Sequence, residues 1–271
     1  MATARAILHY PGSKWRIAEW IVSHFPPHTT YLEPFFGSGA VFFSKPRSQV
    51  ETINDLDGDV VNLFRVIRER PEELARAVAF TPWARVEFED SRQRTGDPLE
   101  DARRFLAQAW MGRSGSIRWR TGWRHEIAGR QGFTCAGVWS GLPDRILAVA
   151  ERLRGAQIEQ QDALQLIARY RQPTVLIYAD PPYPLGTRSS GSVYIHEMSD
   201  NDHNRLLDLL LDHPGPVVVS GYACDLYDQR LAEWRREAKH TYCDGGQKRQ
   251  EVIWLNQVAA QRLPQGRLFG V

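Results

Sequence analysis

Apolar residues fall along this chain in two kinds of pattern. Val175-Leu176-Ile177-Tyr178-Ala179 is an unbroken apolar run with β-branched and aromatic members. Such a run reads as a strand buried on both faces, as in a parallel sheet. Pro216 to Ser220 reads the same way, and Thr30 to Leu32, Val50 to Ile53 and Gln157 to Gln160 read as shorter strands. Helical stretches lie between them. Ile17, Trp20, Ile21 and Val22 predict a helix to about His24, with Ser13 as its cap after the Pro11-Gly12 turn. Further helices are expected after Gly39, from Val60 to Arg68, from Asp162-Ala163 to about Tyr170, from Asp200 to Leu211 behind Ser199 or Asp200, and from about Leu226 to Arg235. Ala238 to Cys243 and Glu251 to Asn256 are expected as a closing pair of strands, with an irregular tail after Gln257. The alternation of strand and helix breaks between Pro71 and about Arg154, where Pro98 to Trp110 carries an apolar face of Leu99, Ala102, Phe105, Leu106 and Ala109. The pattern is an α/β unit interrupted by an insert.

Chemistry concentrates after the central strand, at Asp180-Pro181-Pro182-Tyr183. Ligands of open α/β sheets sit outside the carboxyl ends of the strands, and Asp180 is the first residue past that end. The two prolines stiffen the turn. The exocyclic amine of a nucleobase is a poor nucleophile, because its lone pair is delocalised into the ring. The Asp180 carboxylate and the Pro181 carbonyl can accept its two N–H bonds, and Tyr183 offers a flat face for an extruded base. The plainer alternative is a strand-ending turn with an ordinary aspartate. Upstream, Phe35-Phe36-Gly37-Ser38-Gly39 bends from strand to helix, with glycines that let a ligand approach the backbone. It is not the dinucleotide fingerprint, because Phe42 stands at the third glycine position, which counts against a nicotinamide enzyme. Asp55, after the second strand, stands where a ribose diol would be held. Asp57 could cap the next helix.

Composition narrows this picture. A length of 271 residues allows one large domain, or one domain with an insert, and 42% apolar content supports a full core. The net charge is only +2, so any nucleic-acid footprint must be local. One segment is locally basic: residues 112–132 hold Arg113, Arg118, Arg120, Arg124 and Arg130 against Glu126 alone, with Trp119, Trp123 and His125 interleaved. That mixture suits phosphate and base contacts. Its alternative is a solvated loop whose tryptophans cover the core. Lys248 and Arg249 add charge to the glycine-rich loop before Glu251. The cysteines Cys135, Cys224 and Cys243 form no C-x-x-C pair and the histidines no ligand spacing, which points to a reducing compartment and away from structural zinc. No apolar run approaches the ~20 residues of a membrane span, and no signal peptide is expected at the start.

Five stretches in order resemble the Dam-type DNA adenine-N6 methyltransferases: Tyr10-Pro11-Gly12-Ser13-Lys14, Glu33 to Gly39, Asn54-Asp55, Asp180 to Tyr183, and Gly245-Gly246 through Glu251 to Asn256. The resemblance implies an α/β, Rossmann-like sheet, mostly parallel with a terminal antiparallel strand, in residues 1–75 and 150–271. It implies a mainly helical target-recognition insert in 76–149. By matching position, S-adenosylmethionine would lie against Tyr10, Lys14, Phe35, Gly37, Ser38 and Gly39, with Asp55 on its ribose, Asp162 reading its adenine and Asp180 bordering the cofactor. Asp180, Pro181, Pro182 and Tyr183 would serve the target adenine. Lys14, the five arginines, Lys248 and Arg249 would face double-stranded DNA. No metal is expected, and a monomer or weak dimer in a bacterial or phage-infected cytoplasm is. GATC-methylating members usually carry Asn-Arg-x-Gly-x-Asn-Gly in the insert. This chain has Trp110-Met111-Gly112-Arg113-Ser114-Gly115, which counts against GATC as its site. Three rivals stand beside this expectation: methylation of cytosine N4 or of an RNA base, an inactive DNA-binding relative, and a nicotinamide oxidoreductase.

Overall fold

The computed structural model describes residues 6–113, 121–127, 134–184, 186, 194–242 and 248–263. Seven strands make one sheet: β1 (Thr30–Glu33), β2 (Val50–Asn54), β3 (Ala156–Glu159), β4 (Val175–Ala179), β5 (Val217–Tyr222), β6 (Arg235–Tyr242) and β7 (Lys248–Leu255). Their order is β3-β2-β1-β4-β5-β7-β6. The first five pair in parallel, whereas β7 runs antiparallel to both β5 and β6. The sheet is therefore parallel except for the last strand of the chain, which inserts between β5 and β6.

Side chains alternate across this sheet and build two cores. Tyr31, Ile53, Leu176, Tyr178, Val218 and Ile253 pack on one face. Leu32, Val175, Ile177, Ala179, Val217, Val219 and Trp254 pack on the other. All of β4 is buried, as its unbroken apolar run requires. The second face is covered by α9 (Ala163–Arg169), α10 (Asp200–Leu211) and α11 (Asp225–Arg230). The first carries α1 (Ala18–Val22), α2 (Ala40–Ser44), α3 (Gly58–Glu69), α4 (Pro71–Ala79), α6 (Pro98–Met111) and α8 (Leu142–Leu153), with the short α5 (Arg85–Asp90) and α7 (Cys135–Ser140) beside them. The interrupted segment is thus helical. Phe88, Phe105, Trp110, Trp139 and Ile146 from it join the same core as the sheet. Among the described residues no helix is long and apolar enough to cross a membrane.

Local signals explain most of these boundaries. Asp57 caps α3 by accepting the Asp59 N–H at 2.9 Å. Asp97 caps α6 ahead of Pro98. Ser199 and Asp202 form a reciprocal capping box on α10. Four expectations are corrected. The first helix begins at Ala18 and Ser13 does not cap it, because the Ser13 hydroxyl bonds Ser38 Oγ at 2.9 Å. The helix after Cys224 ends at Arg230, and Arg235 instead opens β6, whose eight-residue register on β7 overrides the local helical pattern. The tail is not irregular at its start: Asn256 caps α12 (Gln257–Arg262) through the Ala259 N–H. Lys248 and Arg249 belong to β7 rather than to the loop before it. Arg118, Arg120, Arg130, Trp119 and Cys243 lie outside the described residues.

Candidate active site

The strand order reverses between β1 and β4, and a cleft of about 250 Å³ opens at their carboxyl ends. Tyr10 to Lys14, Glu33 to Ser38, Asn54 to Asp57, Asp162 to Leu164, Asp180, Pro182 and Tyr194 to Met198 line it. Asn54, fully inside, braces its walls. Asn54 Nδ2 donates to Pro34 O at 2.9 Å and to Gln161 O at 3.1 Å, and Asn54 Oδ1 accepts the Gln161 N–H at 3.0 Å. One amide thus ties together the turns that follow β1, β2 and β3.

Sequence reasoning places Tyr10, Lys14, Phe35, Gly37, Ser38, Asp55, Asp162 and Asp180 at one site, and all eight line this cleft. Asp55 stands at its floor. Asp55 Oδ2 accepts the Gly37 N–H at 2.8 Å and Oδ1 accepts the Asp57 N–H at 2.9 Å. Burial pushes the Asp55 carboxyl up to about 6, against the pull of those two N–H donors. Gly37 lies at φ +49°, a conformation that L side chains rarely adopt. Gly39 stands outside the lining and serves the bend instead. It is the α2 N-cap at φ +67°, and a Cβ there would fall 2.5 Å from carbons of both Phe36 and Phe43. Asp162 is exposed at the mouth, where it also caps α9 through the Gln165 N–H. Asp57 caps α3 with one oxygen only. Its Oδ2 is buried in the lining and has no hydrogen-bond partner.

At the other end of the cleft Asp180 is clasped from two sides. Lys14 Nζ reaches Asp180 Oδ2 at 2.8 Å and Gly12 O at 2.8 Å, and Ser220 Oγ donates to Asp180 Oδ1 at 2.8 Å. Lys14 is only 4% exposed. Burial alone would lower its ammonium, but the charges of Asp180 and Glu251 outweigh that and hold it above the ordinary lysine value. The same ammonium stands 4.8 Å from the centre of the Tyr183 ring. Tyr183 is therefore corrected from an open platform to a covered one. It is buried, its ring lies 4.5 Å from that of Tyr222, and its hydroxyl donates to Glu251 Oε2 at 3.1 Å. Pro182, half-buried, lines the cleft, whereas Pro181 is buried and stands outside the lining.

Sequence reasoning missed Glu33, Ser220, Tyr194 and Glu251. Glu33 was visible as the acid heading its own motif, one residue past the apolar part of β1. Its carboxyl is buried, accepts the Tyr31 hydroxyl at 2.7 Å, and is pushed up to about 8, first by burial and then by the Asp180 charge, against that hydroxyl. Lys14 pairs with Asp180 at 2.8 Å. Among the described residues no three His, Cys, Asp or Glu side chains converge as metal ligands. Of the basic segment, Arg113 and Arg124 are described. They flank a Gly112–Trp123 bridge, with Arg113 N donating to Gly122 O at 3.0 Å and Arg124 N to Met111 O at 2.7 Å. The Arg85 guanidinium covers the Trp123 ring at 4.8 Å.

The chain matches the family model described as D12 class N6 adenine-specific DNA methyltransferase over residues 10–241. It is 25% identical over 253 residues to the DNA adenine methylase of Escherichia coli (strain K12), spanning 88% of this chain and 87% of that protein. It is 26% identical over 249 residues to the DNA adenine methylase of Serratia marcescens, spanning 83% and 86%. Among solved structures, a SAM-dependent methyltransferase from Agrobacterium tumefaciens overlays with TM-score 0.40 at 11% identity, over 89% of this chain and 59% of that one.

Proposed function

Since the chain belongs to the D12 class N6 adenine-specific DNA methyltransferase family, we propose that it transfers the methyl group of S-adenosylmethionine to N6 of adenine in double-stranded DNA, at a specific site and on a base turned out of the duplex. The observation that carries this reading is the meeting of Asp180, at the end of the buried β4, with the cleft that Asp55 and Gly37 floor.

The residues present suit the methyl donor. A buried carboxylate oxygen without a partner is costly, and Asp57 Oδ2 beside the cleft is such an oxygen. Ligand hydroxyl or N–H groups there would satisfy it, with Asp55 as the second acceptor. Tyr10 and Phe35 give apolar walls and Asp162 a polar mouth. Bound there, S-adenosylmethionine supplies a methyl already activated by its positive sulfur. The protein's own part is positioning and electrostatics. Asp180 accepts one N–H of the target amine and Pro181 O the other, which frees the nitrogen lone pair. Asp180 is the acceptor for the proton the amine loses. The base must also displace Lys14 from the Tyr183 face if it is to stack there.

Asp55→Ala should raise the dissociation constant for S-adenosylmethionine roughly ten- to a hundred-fold, the usual worth of a charge-assisted hydrogen bond. Because the Asp55 carboxyl lies near 6, the affinity of the unaltered protein should fall as pH drops through that value and the acceptor becomes protonated. Calorimetry across pH 5 to 8 checks both results. An unchanged constant in Asp55→Ala would leave Asp55 a bracket for Gly37 and Asp57.

Residues 76–149, with the five arginines, are proposed as the DNA-recognition insert. Arg113→Ala and Arg124→Ala should each weaken binding to all duplexes and reduce the salt slope by about one. An arginine that reads guanine would instead relax the choice of site, at ~1–3 kcal/mol. Affinity against salt on cognate and scrambled duplexes separates the two. Parent-like binding by both variants on both duplexes would remove this ladder from the interface. Nucleoside analysis of the methylated DNA tests the reaction itself: N4-methylcytosine in place of N6-methyladenine would overturn the assignment.

A further inference from the structure

β5 lies beside β4 in parallel register, with Ala179 opposite Val219, so Ser220 comes level with Asp180. Residues two apart on a strand share a face. Tyr178 and Asp180 therefore face the same side, and Ser220 meets both across the strand gap. Ser220 Oγ is 2.8 Å from Asp180 Oδ1, and the Tyr178 hydroxyl is 2.8 Å from Ser220 Oγ. Ser220 and Tyr178 are each 1% exposed. The direction of this chain follows from proton counting. A carboxylate only accepts, so the single Ser220 proton goes to Asp180, and the Tyr178 hydroxyl must give its own to Ser220. The Tyr178 ring is packed 5.7 Å from Phe25 in the sheet core and is not free to turn away.

We infer that Ser220, held by Tyr178, is a positioning residue that fixes the plane of the Asp180 carboxylate for the incoming amine. The inference rests on the proposed methyl transfer and deepens it. Lys14 holds the other oxygen, Oδ2, and must shift if a base is to stack on Tyr183. Ser220 lies under the carboxylate, on the next strand, and remains in place whatever happens on the Lys14 side. It therefore keeps the acceptor aimed while the second oxygen exchanges an ammonium for the substrate N–H. Misplacement of a reacting group by about 1 Å costs on the order of a hundred-fold in rate.

The test compares two variants of equal shape. Ser220→Thr keeps the hydroxyl, and Ser220→Val replaces it with a methyl; both suit a buried strand. Single-turnover transfer of tritiated methyl from S-adenosylmethionine to adenine-unmethylated genomic DNA gives the rate. Calorimetry with S-adenosylmethionine gives cofactor affinity. The expected result is a Ser220→Val rate roughly ten- to a hundred-fold below that of Ser220→Thr, with the two cofactor dissociation constants within two-fold. Tyr178→Phe, which leaves Ser220 its donor, should slow transfer by a smaller factor than Ser220→Val. Equal rates in the Thr and Val variants would overturn the positioning role and leave the reaction standing, as would a Val variant whose cofactor affinity falls in step with its rate. Absence of N6-methyladenine from the reaction of the unaltered protein would overturn the proposed function and the role together.

Discussion

Asp180→Ala should reduce methyl transfer by at least ~10²–10³-fold, the usual loss when one polar group that stabilises a transition state is removed. Asp180 is where three polar groups from separate elements converge: Lys14 from the turn before α1, Ser220 from β5, and Tyr178 through Ser220. Its removal has a second effect. Lys14, buried, loses the counter-charge that it meets at 2.8 Å. Stranding one partner of a buried pair can cost ~3–5 kcal/mol, so the Ala protein is expected to melt earlier. Asp180→Asn separates the two effects. It keeps the volume and a carbonyl acceptor but removes the charge, and should also transfer slowly while retaining more of the stability. Tritium incorporation with a thermal melt on each variant is the measurement. Near-parent turnover by either folded variant would remove Asp180 from the chemistry.

A large effect on stability is also expected away from the cleft, at Glu51 on β2. This acid is 4% exposed and meets two cations. Lys45 Nζ lies 2.6 Å from Glu51 Oε1, and Arg152 of α8 lies 2.6 Å from Oε2 and 2.8 Å from Oε1. The cations also rest on aromatic faces, Lys45 on Tyr31 at 4.3 Å and Arg152 on Phe42 at 3.8 Å. Glu51→Ala would strand both charges in this setting and should cost ~3–5 kcal/mol. For a chain of this size that is a fall in Tm on the order of 10 °C. The pH dependence has a definite sign. Burial pushes the Glu51 carboxyl up, but Arg152 and Lys45 outweigh it and hold it below the ordinary value. Its contribution is thus full above the ordinary glutamate range and is lost as pH falls through the lowered one. Thermal melts of parent and Glu51→Ala from pH 3 to 7 should converge toward the acid end. A loss under about 1 kcal/mol at neutral pH would mean that both cations escape to water.

The elements were legible in the sequence because their causes are local. The apolar run Val175 to Ala179 required a strand covered on both faces, and Asp57 and Ser199 marked helix starts by chemistry that acts within three residues. The errors share one origin. The residues after Arg230 read as more helix, and only the partner strand β7 makes Arg235 to Tyr242 a strand. Ser13 reads as a cap, and only Ser38, 25 residues away, draws its hydroxyl elsewhere.

The sequence by itself determined the alternation of buried strands and helices, the acid at the end of β4 and the acids near the end of β2, because burial period, proline stiffness and capping are properties of neighbours along the chain. The tertiary structure decided which of these groups meet. Nothing local to Lys14 or Ser220 indicates that both would grip Asp180, 166 and 40 residues distant, or that the same lysine would cover Tyr183. Those contacts follow from strand order and register, with β5 beside β4 and the Pro11-Gly12 turn folded over the switch between β1 and β4. Order and register are settled by packing the whole sheet between its two cores, so no window of sequence contains them.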